Sequence, residues 1–394
     1  MKPLATSFLH SPGLQFVAKP TSPYLLSVVF YLLSPIFYLL SPISAVAAPP
    51  AATVGKVTPS PPVKARLWCI PADAPDPATA KRKAVDATLV GRDRTNLVTA
   101  PDESGQRGGR IPTATIAAVD FALDYDRFEV TRAMAKNDWP KAIRILREVY
   151  EPTYLYLDLP ENNAAEGALD LGTTMMKFAR RTARGAKDAD ERAKASQQYD
   201  AAYRVFQACS KAEWSSVGAL GILKGCRCLL AVDAEKAKTA RRRVEEMEEP
   251  TPGDDSYGHY WLLKAELAQL GGDVTNAMDA AVKSVCFENK DVETFPDALM
   301  LTADCYERLG NFYRARDVYF EVAKLFPDTD WSADALVRLE AILASGKTQK
   351  KEAATAESTF FGLEEDMNAL AEALVKERKT AKNTFAKEYE EDTE

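Results

Sequence analysis

The chain has 394 residues, 46% of them apolar and 27% charged, with a formal net charge of −7. These proportions are those of a folded globular protein, and the acidic balance argues against nucleic acid or an anionic membrane surface as the main partner. Only two histidines occur, His10 and His259, too few for His-based catalysis or a His-rich metal site.

Residues 1–47 make the first segment. "YLLSVVFYLLSPIFYLLSPISAVAA" (Tyr24–Ala48) is uncharged, Lys2 and Lys19 are the only charges before it, and Ala45-Val46-Ala47 offers a small-residue cleavage site. That is the layout of a secretory signal peptide. An uncleaved signal anchor is the other reading, because about 20 apolar residues can span a bilayer. Pro35 and Pro42 weigh against it, since each removes a helix hydrogen bond. Both readings predict export to the periplasm or cell envelope, with membrane contact only through this segment if it is retained. Cys69 in "RLWC" follows Trp68, a residue too large for a lipid-attachment motif.

Residues 48–63, "APPAATVGKVTPSPPV", are rich in Pro, Ala and Thr and read as an extended linker. Within 64–122, "VKARLWCI", "DATLVGRD", "TNLVTAP" and "RIPTATIAAVDF" are short, partly alternating and β-branched, and "GQRGGR" reads as a turn. They predict a small β-rich module that resembles an Sm- or SH3-like barrel, or else isolated strands. From Asp124 the period changes to that of helices, and the prolines fall between apolar-periodic segments.

The stretch from Pro296 to Pro327 carries Leu299, Ala303, Tyr306, Leu309-Gly310, Phe312, Ala315, Tyr319 and Val322 at fixed intervals. Small residues at 303 and 315 let two antiparallel helices approach, Gly310 suits the turn between them, and Pro327 stops the second helix. The stretch resembles the tetratricopeptide repeat (TPR), with Leu299 where that repeat has Trp and Thr302-Ala303 where it has Leu-Gly. Weaker copies are "NDWPKAIRILREV", "QQYDAAYRVFQAC", "GALGILKGCRCLLAVDAEKAKTARRRV" and "YWLLKAELAQLGGDVTNAMDAAV", and "WSADALVRLEAIL" reads as a closing helix. The resemblance implies a mainly α protein: a TPR-like α-solenoid of about five helical hairpins over 124–345. Residues 346–394 read as a polar linker, an amphipathic helix with a seam of Leu363, Met367, Leu370 and Leu374, and a charged tail.

No spacing proposes chemistry. Cys226 and Cys228 stand two apart on a predicted helix, so their side chains diverge and cannot bond to each other. No paired Cys/His spacing suggests a metal or haem, and no phosphate loop, nucleophile elbow or calcium loop is present. The cysteines at 209, 226, 228, 286 and 305 read as small buried hydrophobes. His259 in "YGHYW" reads as a helix-start residue with one exposed edge. The aromatic loop "YEPTYLYLDLPENN" reads as packing over a hairpin end. No catalytic residue, cofactor or metal is therefore expected.

By the resemblance, first helices of the hairpins line a concave groove. The partner-binding residues would then be His259, Leu262, Glu266 and Gln269, followed by Asp297, Met300, Asp304, Glu307 and Arg308. This set is acidic with some apolar area and predicts a basic or amphipathic protein segment as partner. It lacks the Lys/Asn cluster with which chaperone-binding TPR domains clamp a peptide carboxylate. The resemblance implies a protein–protein interaction scaffold of the bacterial cell envelope. A structural or assembly component of an envelope complex is the second reading, and an enzyme of unrecognised type the third.

Overall fold

Val63, Ala65 and Leu67 alternate with Lys64 and Arg66 along strand β1 (Thr58–Cys69), and the three apolar residues are buried while the charged ones face out. A computed structural model describes residues 57–71, 80–101, 108–287, 294–348 and 367–380. β1 is flanked by β2 (Lys83–Arg92) and β5 (Ile116–Phe121), and β3 (Asn96–Thr99) and β4 (Arg110–Pro112) extend the antiparallel sheet in the order β4-β3-β2-β1-β5. β1 begins at Thr58, inside the stretch whose prolines read as linker. A register shift between Pro59 and Val63 accommodates Pro61 and Pro62, which have no N–H to give to a ladder. The expected β-rich module is present as five antiparallel strands in one sheet. β4 and β5 are the edges, a 3-10 turn (Thr113–Thr115) joins them, and no ladder closes them among the described residues.

The rest is helical: α1 (Arg127–Ala135), α2 (Trp139–Thr153), α3 (Ala164–Gly185), α4 (Ala189–Cys209), α5 (Ser216–Val232), α6 (Ala234–Glu245), α7 (Tyr257–Leu270), α8 (Val274–Phe287), α9 (Thr294–Arg308), α10 (Phe312–Leu325) and α11 (Asp330–Ala344). A last helix, α12, covers 367–380. Sequential helices pair as α1–α2, α3–α4, α5–α6, α7–α8 and α9–α10, with α11 closing the stack. The chain is thus a TPR-like α-solenoid of five hairpins preceded by a small sheet.

In three hairpins the turn is the same object. Asn137, Gly272 and Gly310 take positive φ of 59°, 79° and 79°. The N–H of the following residue then reaches back five positions: Asp138 to the Ala133 carbonyl at 2.9 Å, Asp273 to Ala268 at 3.0 Å, and Asn311 to Tyr306 at 2.9 Å. This closes the first helix with a Schellman-type turn. The same Asp or Asn opens the second helix, its Oδ1 accepting from the N–H of Lys141, Asn276 or Arg314.

The core is a row of apolar clusters. One joins the sheet to α1–α5, a second joins α5 to α7, a third joins α7 to α9, and a fourth joins α9 to α12. Neighbouring clusters share Tyr203, Trp261 and Val285 in turn. Nearest-neighbour packing of this kind is what makes a stack of hairpins stable where one alone is not. The aromatic loop after α2 fastens the sheet: Tyr156, Leu157 and Leu159 are buried in the first cluster, Tyr156 Oη lies 2.7 Å from Ser60 Oγ, and Asn162 bridges to Val119. In α12 the seam runs through Ala371 and Leu374; Leu370, expected in it, is 53% exposed, and Leu363 lies outside the described residues.

Ala315 is fully buried between α9 and α10. Ala315→Leu should overpack this contact and lower stability by about 1–3 kcal/mol, read as a shifted urea midpoint at unchanged slope. An unshifted midpoint would show that the two helices do not meet there.

Candidate functional site: the concave groove

The first helices of hairpins two to five, α3, α5, α7 and α9, and the closing helix α11 turn one face each toward a common cavity of about 350 Å³. Its centre is Asp297 on α9, whose side chain is 7% exposed. Asp297 Oδ1 accepts from Arg180 Nη1 on α3 at 2.7 Å and from the Trp331 indole on α11 at 2.6 Å; Oδ2 accepts from Arg227 Nη2 on α5 at 2.7 Å. Arg227 also grips Glu266 on α7 through Nε at 3.1 Å and Nη2 at 2.7 Å. One carboxylate therefore ties α3, α5, α9 and α11, and Arg227 brings in α7. Burial alone would push the Asp297 carboxyl up, but Arg180 and Arg227 outweigh it and hold the pKa down at about 2. Burial would likewise lower the Arg227 pKa, and Glu266 and Asp297 raise it instead. The Arg180 guanidinium lies 5.6 Å from the Trp331 ring centroid, adding a cation–π contact.

The other walls are mixed. Lys224, 7% exposed, donates to Thr173 Oγ1 at 3.3 Å. Burial pushes the Tyr199 hydroxyl up to about 12. His259 is 4% exposed with its ring nitrogens beside Thr294 Oγ1, so the exposed edge expected for it is absent: α9 covers it. The Gln269 amide nitrogen is buried without a partner. Met176, Leu230 and the 65%-exposed Leu270 supply apolar surface.

Of the nine residues expected in the groove, the cavity gathers His259, Glu266, Gln269 and Asp297. Leu262 is fully buried between α7 and α9, and Met300 packs half-buried on the last core cluster. Asp304, Glu307 and Arg308 line a separate cavity of about 290 Å³ with Phe312, Arg338 and Lys347. There the Tyr319 hydroxyl donates to Asp304 Oδ1 at 2.5 Å, and Arg338 approaches both acids at 3.8 and 3.9 Å. The expected single acidic face is two sites.

The acidic character itself is corrected. It came from α7 and α9, whereas α3 and α5 bring Lys177, Arg180, Lys224 and Arg227 to the same cavity, four cations against Glu266 and Asp297. A signal existed: Lys177, Arg180 and Arg184 recur at helical spacing on α3, and Lys224 and Arg227 stand three apart on an otherwise apolar helix. With both carboxylates held by guanidinium groups, the cavity wall combines charged side chains, an indole and apolar surface.

Among the described residues, no group of three or more His, Cys, Asp or Glu side chains is placed to hold a metal ion, and no helix is long and apolar enough to cross a membrane. The six cysteines include no disulfide. Four are buried, and burial pushes the Cys209 thiol up to about 12 and Cys226 to about 11. Cys286, expected inside, is exposed near the end of α8.

No family model matches the chain, and no curated protein matches it. Among solved structures, a thermophilic TPR protein of Thermus thermophilus is similar at 14% identity and a TM-score of 0.34, over 55% of this chain and 95% of that one. The solenoid assignment stands on the hairpins and turns described above.

Proposed function

We propose that the chain is a non-catalytic protein-binding scaffold of the cell envelope that holds a segment of its partner in the concave groove. The observation that supports this most is the convergence of six helices on one cavity walled by charged side chains, aromatic rings and apolar side chains, the exposed Leu270 among them. Such a surface gives an extended segment both charge complementarity and area to bury. Lys177 and Leu270 stand at its rim. Cross-linking in intact cells, with identification of the attached proteins, tests the reading. Lys177→Glu with Leu270→Glu should lose those proteins at least tenfold, and Val282→Glu, at a 40%-exposed position on the second helix α8, should keep them. Equal yields from both variants would place the partner surface elsewhere.

The envelope assignment is motivated by the uncharged stretch Tyr24–Ala48, which lies outside the described residues. Fractionation should recover the protein outside the cytoplasm, with a mature N-terminus near Ala48 if the segment is cleaved. A full-length soluble cytoplasmic product would remove this assignment and leave the groove untouched.

A further inference from the structure

Every charged side chain in the concave groove already has a partner within the chain. Asp297 is held by Arg180, Arg227 and the Trp331 indole, and Glu266 by Arg227. Lys224 donates to Thr173, and Lys177 is engaged as well. Burial keeps the Tyr199 hydroxyl protonated, its pKa pushed up to about 12. An ion that left such a pair to meet a ligand would strand its counter-charge in a buried site, a strongly unfavourable exchange.

What the groove leaves open is of another kind. The Gln269 side-chain nitrogen is buried without an acceptor, and among the described residues no other buried polar side-chain atom of this wall lacks a partner. An unmet donor of this sort is worth pairing. Met176 on α3, Leu230 and Ala231 on α5, and Leu270 on α7 line the same cavity. The first two are half-buried, and Ala231 and Leu270 are exposed. These three helices are consecutive first helices of the stack, each touching the next. With about 8–10 Å between neighbouring axes, the apolar strip crosses roughly 16–20 Å. About six extended residues span that distance at ~3.3 Å each.

We infer that the partner segment held in the groove is uncharged: about six extended residues with apolar side chains on this strip and a backbone carbonyl accepting from the Gln269 amide. This rests on the groove being the partner site, and it names the chemistry of that partner. The complement of ions already compensated among themselves is a stretch without charge. A lysine or glutamate in the segment would be desolvated beside groups that are already taken, so the same wall rejects charged sequences. Apolar burial supplies the affinity, and Gln269 fixes the register.

The test pans random peptides displayed on phage against the immobilised full chain. The enriched peptides should be apolar and free of Lys, Arg, Asp and Glu. The most enriched one, synthesised with acetyl and amide ends, should bind with a Kd that changes less than about twofold between about 50 and about 500 mM salt, because no ion pair is there to screen. Leu270→Glu should weaken it by about tenfold or more. Gln269→Leu, which keeps the size and removes the donor, should weaken it about three- to tenfold. Enrichment of acidic or basic peptides, a Kd that rises steeply with salt, or an unchanged Kd in Gln269→Leu would overturn the inference. If charged peptides are enriched and still depend on Leu270, the groove remains the partner site and only its preference is wrong. If no peptide is enriched, or binding ignores both variants, the inference falls, and the cross-linked yield from Lys177→Glu with Leu270→Glu decides whether the groove falls with it.

Discussion

Asp297→Asn is expected to lower the stability of the fold by about 3–5 kcal/mol, the cost of removing one partner from a buried ion pair. The asparagine keeps a similar shape, so lost packing contributes little. What changes is that Arg180 loses its carboxylate, Arg227 retains only Glu266, and the Trp331 indole faces a neutral amide. Arg180 is 40% exposed and can turn toward water, which favours the lower end of that range. Urea unfolding should show the midpoint falling with the slope kept, and an unchanged midpoint would mean the network is not formed in solution. The same carboxylate ties stability to pH. Its pKa is depressed from 3.8 to about 2 in the folded chain. The contribution is therefore fully present above the unfolded value and is lost as pH falls through the folded one. That amounts to about 2 kcal/mol between pH 5 and pH 2, and the Asn variant should lack this part of the acid slope.

Gly221→Leu should be comparably severe for a steric reason. Gly221 lies where α5 crosses α4. A Cβ there would stand 2.9 Å from Cys209 Cβ, 2.9 Å from the Phe206 carbonyl oxygen and 2.9 Å from the Ser210 nitrogen. Two of these three atoms belong to the backbone, so no rotamer change relieves the clash and the helices must separate. A leucine adds further carbons at the same point, and a loss of about 3 kcal/mol or more is expected. Thermal unfolding measures it; a variant melting with its parent would show that α4 and α5 lie further apart than described.

The hairpins were legible because their determinants are local. Ala315 and Tyr319 mark one packed face, Gly310 marks a turn that only a residue tolerant of positive φ can make, and Trp139 and Ala142 mark α2 as a second helix. The groove was legible only in part, since its character is decided between distant segments. Glu266 and Asp297 were visible as first-helix residues, but the arginines that neutralise them stand on helices earlier in the chain. The one aromatic of α3, Phe178, packs on Trp139 of α2, so nothing beyond their spacing marks Lys177 and Arg180 as groove residues. Asp304 and Glu307 share a helix face with Asp297 over a longer span, and the stack diverts them to another cavity. β1 began earlier than its composition suggested, because its first residues pair with β2 alone, β5 joining only from Ala65, and a register shift between Pro59 and Val63 absorbs the prolines.

A stack in which each hairpin touches only its neighbours behaves like a soft spring: it can flex along its length and open from either end without disturbing the middle. Here the second hairpin is tied directly to the closing helix. Arg184 on α3 pairs with Asp330 at 2.9 Å and also with Asp334, while Arg180 reaches Asp297 and stacks on Trp331. The ties to α11 skip the three hairpins between, and the tie to Asp297 skips two. They convert a row of coupled units into a loop of them, so terminal hairpins cannot peel away singly and the concave face cannot stretch without parting ionic contacts. Melting should then be one sharp event across α3–α11, and a partner entering the groove would find a jaw of nearly fixed width.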